Sequence, residues 1–184
     1  MIRDSFLDNY DWFRTYCDGL DYDVVTNPTD GVDYHGISLE IPEFMKIDVL
    51  YKLQQLVGPI TRYNMFLRQS VDGSKAPHGA HNDLSMGQHT MILYLNRPEH
   101  CKGGTSLVSH KEHGMSESVT EEQIEIWERD TNNYDAWEID EMCDMKSNRA
   151  FICPAGRMHR AEDGHFGDNN ENGRLVMVCF FDVC

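Results

Sequence analysis

The sequence predicts a mainly β fold of two sheets packed face to face, with helices flanking it on the N-terminal side and a helical insertion later in the chain. Three observations carry this. The stretch QHTMILYLN, residues 88–96, alternates Thr90, Ile92 and Tyr94 with His89, Met91, Leu93 and Leu95. Both faces are mostly apolar, which requires a strand covered on both sides. Arg174, Val176, Val178 and Phe180 alternate in the same way with Leu175, Met177, Cys179 and Phe181. Four further runs of strand character, YHGISLE (34–40), RYNMFLRQS (62–70), GTSLVS (104–109) and NRAFICPAG (148–156), lie between segments containing Gly, Pro, Asn and Asp.

Taken in order, residues 8–18 combine a capping Asp8, acids in the first turn and Gly19 as a stop, so a short amphipathic helix is expected with Trp12, Phe13 and Tyr16 as its buried stripe. In the strand at 34–40, His35 is read as an ordinary, partly buried histidine. Residues 42–57 begin with Pro42 and end before Gly58, with Phe44, Ile47, Leu50, Tyr51 and Leu53 at helical spacing as the core stripe. The loop 71–80 precedes a functional stretch, which makes Arg68, Gln69 and His78 candidate polar groups of a substrate mouth. The segment 114–147 is acidic, carries a capping box at Thr120 and Gln123, and reads as a helix over 120–129 followed by a loop. It is expected to be a solvated insertion packed by Trp127 and Trp137, with a lid or partner surface as the other reading.

Length and composition bound the rest. With 184 residues, 40% hydrophobic and 26% charged, one domain spanning 1–184 is expected: residues 1–60 form N-terminal helices and a strand, and 61–183 form the core with its insertion. No apolar run is long enough to cross a bilayer, and MIRDSFLDNYDWF has acids where a signal peptide needs a basic start. A cytoplasmic protein with no membrane partner is expected. A formal charge of −15 repels phosphate backbones and disfavours nucleic acid. The six cysteines show no CxxC and read as reduced, mostly buried thiols. Oligomeric state has no signal in the sequence.

The chemistry concentrates in two places. His81 and Asp83 sit two apart just before an apolar strand, so an imidazole and a carboxylate face one side. Two histidines and one carboxylate hold an iron with exchangeable positions. The third ligand must then come from elsewhere, and FICPAGRMHRAEDGHFGDNNENGRLVMVCFFD (151–182) offers His159 at one strand and Arg174 at the start of the next. Arginine is always charged and forks onto carboxylates, so it suits the distal end of a dicarboxylate. A charge among apolar residues is costly unless an anion pairs with it.

With these residues in this order, the sequence resembles the Fe(II)/2-oxoglutarate-dependent oxygenases, specifically their prolyl-hydroxylase-like branch, over roughly residues 60–110 and 147–182. The resemblance implies a double-stranded β-helix (jelly-roll) core. It also implies His81, Asp83 and His159 as catalytic metal ligands, and Arg174, Tyr94 and Thr90 as cosubstrate-binding residues. The gap from His159 to Arg174 is longer than the family's, and His165 gives a more usual one. His159 is preferred because a ligand on a strand is held more rigidly than one in a turn. The implied cofactors are Fe(II), 2-oxoglutarate and O2, with ascorbate in support. The implied reaction is hydroxylation of a C–H bond with release of succinate and CO2. Three substrates or roles compete: a protein side chain, with proline leading; a free amino acid or small metabolite; or a cupin-like metal protein without 2-oxoglutarate turnover, against which Arg174 speaks.

Overall fold

This computed structural model describes residues 1–27, 31–73, 79–162, 166–169 and 171–184. Its strands are β1 (Ile2–Arg3), β2 (Asp23–Thr26), β3 (Asp33–Ser38), β4 (Ile60–Ser70), β5 (His89–Tyr94), β6 (Gly104–His110), β7 (Trp137–Asp144), β8 (Ala150–Pro154), β9 (His159–Glu162) and β10 (Arg174–Val183). The α-helices are α1 (Tyr10–Asp18), α2 (Glu43–Val57) and α3 (Ile124–Asp130). Seven strands form one antiparallel sheet in the order β1-β8-β5-β10-β4-β3-β2, and three form a second in the order β7-β6-β9.

The alternation predicted for β5 and β10 decides how these layers stack. Met91, Leu93, Leu95, Leu175, Met177, Cys179 and Phe181 point to the helix side and join Phe13 of α1 and Met45, Val49 and Leu53 of α2 in the main core. Ile92, Tyr94 and Val176 point the other way and meet Leu107 and Cys143 of the small sheet. The large sheet is therefore covered on both faces, by helices on one and by the small sheet on the other. Each apolar side chain fully buried in this way contributes roughly 1.5–3 kcal/mol.

Four expectations are corrected. In α1, Phe13, Arg14 and Cys17 are buried, while Trp12 is exposed, stacking on Tyr16 and meeting Phe44 at a tilt. In α2 the buried stripe is Met45, Val49 and Leu53, and Phe44, Ile47 and Tyr51 face outward. Residues 137–144, expected as loop, form β7, paired along β6 with a register shift beside Leu107 and Val108. His35 is exposed rather than partly buried. The capping box at Thr120 and Gln123 is present, at the head of a short 3-10 turn that leads into α3.

The thiol expectation is matched for Cys17, Cys143, Cys153 and Cys179, all free and buried. Among the described residues no helix is long and apolar enough to cross a membrane.

Candidate metal centre

His81 is held by a backbone bridge to His159, the first residue of β9. Directly opposed residues of an antiparallel pair project to the same face. The two imidazoles accordingly lie side by side, with centroids 4.5 Å apart. Asp83 enters from the turn that follows, its amide donating to the Ala155 carbonyl at 2.8 Å. His159 Nε2 is 3.2 Å from Asp83 Oδ2, and His81 Nε2 is 3.8 Å from Asp83 Oδ1. One ligand atom from each of the three residues lies within 4.8 Å of the others.

This donor set fits a divalent ion. Ligand bonds of about 2.0–2.2 Å place neighbouring donors roughly 3 Å apart, so little closure is required. The tautomers are prepared as well. His81 Nδ1 donates to the Gly79 carbonyl and His159 Nδ1 to the Arg157 carbonyl, each at 2.9 Å. With Nδ1 committed to backbone, both Nε2 lone pairs are turned inward as metal donors.

Burial, aided by the neighbouring His159, pushes His81 down to about 4, so it is neutral at ordinary pH. For Asp83, burial favours the neutral acid, but the hydrogen bond and charge of His159 outweigh it and hold the carboxyl low. Burial pulls His159 down, yet the same bond to Asp83 leaves it raised. In the metal-free protein these two residues thus favour each other's charged form, and metal binding requires the imidazole deprotonated.

Thr90, expected at the cosubstrate, lines the cavity but donates its hydroxyl to Asp83 Oδ2 at 3.1 Å. Its alternation on β5 places it beside the carboxylate ligand. Tyr94, also expected at the cosubstrate, is fully buried. Its hydroxyl donates to Thr105 Oγ1 at 2.8 Å, with the Cys143 carbonyl 3.3 Å away. Tyr94 is thus one residue removed from the cavity wall, where Thr105 stands instead. Thr105 was not singled out in the sequence. Its signal was the Gly103-Gly104 pair, which starts β6 and leaves Thr105 on the face turned to the large sheet.

Arg174 is 7% exposed, and its Nη2 donates to Thr105 Oγ1 at 3.3 Å. Its Cζ lies 5.7 Å from the Tyr94 ring centroid and 5.8 Å from that of Phe166. Nε has no acceptor. A buried guanidinium with an unmet Nε donor has the chemistry to pair with a carboxylate.

His81, Asp83, Thr90, Thr105, His159 and Arg174 all border one cavity of about 460 Å³. Val176, Val178 and Phe180 of β10 and Phe66 of β4 give it apolar walls, and Arg68 adds a second guanidinium. Of the other candidate mouth residues, Gln69 is buried away from the cavity. His78 and His165 lie outside the described residues.

The insertion, expected to be merely solvated, is tied to the metal loop. Trp127 Nε1 and Thr131 Oγ1 both donate to the Ala80 carbonyl at 2.8 Å, and the Ala80 amide donates to the Thr131 carbonyl at 2.7 Å. Ala80 is the residue before His81. A side chain at Gly79 would put its Cβ 2.4 Å from the Thr131 carbonyl oxygen, so the close approach needs glycine there. Behind this contact, buried His110 bonds Asp130 at 3.0 Å, and Trp137 Nε1 donates to the Asp130 carbonyl at 2.8 Å.

No protein-family model matches the sequence, and no curated protein sequence does. Solved structures do match the fold. The non-heme alpha ketoglutarate dependent carbocyclase SnoK from nogalamycin biosynthesis superposes with a TM-score of 0.61 at 15% identity, over 99% of this chain and 79% of that one. HygX from Streptomyces hygroscopicus, solved with nickel and 2-oxoglutarate bound, gives 0.54 at 12% identity over 97% and 80%. A prolyl hydroxylase from Trichoplax adhaerens, in complex with a hypoxia inducible factor peptide fragment, gives 0.50 at 10% identity over 98% and 82%. The chain shares the double-stranded β-helix fold of these structures, with a His-Asp-His donor set able to hold a metal on the wall of its cavity.

Proposed function

We propose that the chain is a non-haem Fe(II)- and 2-oxoglutarate-dependent dioxygenase that hydroxylates a C–H bond, with release of succinate and CO2. The observation that carries this reading is the convergence of His81, Asp83 and His159 on a cavity that also holds the buried, incompletely bonded Arg174. Bound there with 2-oxoglutarate and oxygen, a ferrous ion supplies the oxidising chemistry.

The chain's own residues position and shield. His81, Asp83 and His159 take three metal positions, and Thr90 steadies Asp83 through its hydroxyl. Arg174 fixes the distal carboxylate of the cosubstrate, with Thr105 and Tyr94 supporting the guanidinium. The valines and phenylalanines of β4 and β10 exclude water from the reacting centre.

A protein side chain, proline first, is the substrate that the likeness to prolyl hydroxylases supports. A small molecule is the second reading, favoured by Arg68 inside the cavity. The test is protein incubated with Fe(II), ascorbate and 2-oxoglutarate, followed by succinate release and by mass spectrometry of peptides and metabolites for a gain of one oxygen. Arg174→Gln should weaken 2-oxoglutarate binding at least about tenfold, the worth of a charge-assisted pair, with metal retained. Absence of both binding and turnover of 2-oxoglutarate would refute the reading.

A further inference from the structure

We infer that Arg68 recognises a carboxylate on the substrate itself, which in a cavity of this size favours the second of the two substrate readings, a small organic acid; this rests on the oxygenase reading above.

Arg68 lies on the cavity face of β4 with Asn64 and Phe66. Its register partner on β10 is Val176, while Arg174 pairs with Ser70. The two arginines therefore stand on adjacent strands, one side-chain step apart on the same face. Among the described residues no hydrogen bond or ion pair holds the Arg68 guanidinium, and its Nε is buried without an acceptor. Burial disfavours its charge, and so does the nearby Arg174. A cation kept there without a partner costs stability in the free protein.

The cosubstrate does not answer this need. Of its two carboxylates one belongs at the metal and the other at Arg174, so neither remains for Arg68. The charges agree. With the histidines neutral as ligands, the ionised residues lining the cavity are Asp83, Arg68 and Arg174 among the described residues. Adding a ferrous ion and the 2-oxoglutarate dianion leaves one positive charge uncompensated, and one further carboxylate cancels it. A cavity of about 460 Å³ is of the size that encloses small molecules.

The experiment uses the whole protein held anaerobically with Fe(II) and saturating 2-oxoglutarate. Butanoate, benzoate and phenylacetate are titrated by calorimetry and thermal shift against their amides, in wild type, R68Q and R68K. At least one acid should bind wild type at least tenfold more tightly than its amide. R68Q should lose that preference and R68K should keep part of it. Both variants should keep 2-oxoglutarate affinity within threefold, and metal-free R68Q should melt no lower than wild type. Equal binding of acids and amides, or of neither, overturns the inference, as does an acid preference that survives in R68Q. A loss of 2-oxoglutarate affinity in R68Q matching that in R174Q reassigns Arg68 to the cosubstrate. Failure of the oxygenase reading looks different: wild type then binds no 2-oxoglutarate before any acid is added, and this inference falls with it.

Discussion

His81 and His159 are joined backbone to backbone, each amide donating to the other's carbonyl, at 2.9 and 2.8 Å. The bridge sets the two imidazoles side by side before any metal arrives, and the Nδ1 bonds to Gly79 and Arg157 fix their rotation. A preorganised pair loses little entropy on binding an ion.

The third ligand is the first test. His159→Ala is expected to weaken Co(II) or Fe(II) affinity by more than about a hundredfold, beyond the effect of losing an outer contact. His165→Ala is expected to leave it unchanged. Calorimetric metal titration of both variants decides between them, and the reverse pattern would move the ligand to the later turn.

Thr90→Val keeps the shape of the side chain and removes the hydroxyl that Asp83 accepts. Metal affinity should fall by about 10–100-fold, the usual effect of removing a group that orients a ligand. The 2-oxoglutarate affinity of metal-saturated protein should stay near wild type. A selective loss of cosubstrate binding would instead return Thr90 to the cosubstrate.

Gly79→Ala forces a Cβ against backbone at Thr131, which a side-chain rotation cannot relieve. Urea denaturation should show a loss of about 1–3 kcal/mol, typical of overpacking. Metal affinity should fall with it, because Gly79 also accepts the His81 Nδ1 bond. Unchanged stability and metal affinity would mean that α3 sits on the loop without constraining it.

Acid sensitivity follows from two carboxyls. Hydrogen bonds from Arg149 and then Lys146 hold Asp4 well below the usual range, and those from Arg129 and His110 do the same for Asp130. Each folded-state value lies below the unfolded one, near 3.9. The unfolded chain therefore binds more protons as pH falls, and the stabilisation present above about pH 4 is lost below it. The double variant D4N/D130N should show a shallower decline of unfolding free energy between pH 4 and 2 than wild type, measured by urea melts.

Much of the site was legible because its signals are local. The strict alternation in β5 and β10 follows from strand geometry alone, and the i, i+2 spacing marked His81 and Asp83 although only His81 lies in a β-bridge and Asp83 opens the turn after it. Arg174 stood out as the one charge on an otherwise apolar face. The relation of Tyr94 to Thr105 was not legible, since it joins β5 to a different sheet. In α2 apolar residues occur on more than one face, so Phe44, Ile47 and Tyr51 gave as good a helical period as the true stripe of Met45, Val49 and Leu53. β7 escaped notice because only Trp137 and Cys143 of its eight residues are buried, and a register shift breaks its alternation. The clasp of Trp127 and Thr131 on Ala80 is a contact between distant segments, and no spacing rule encodes it.

β10 runs through the middle of the large sheet, bonded to β4 on one side and β5 on the other, and it brings Arg174. During synthesis, a ribosome-attached chain extended to residue 165 already has every metal donor but lacks the ribbon that zips β4 to β5. The large sheet therefore closes only once β10 has been made, and its pairing joins segments far apart in the chain, the kind of contact that forms slowly.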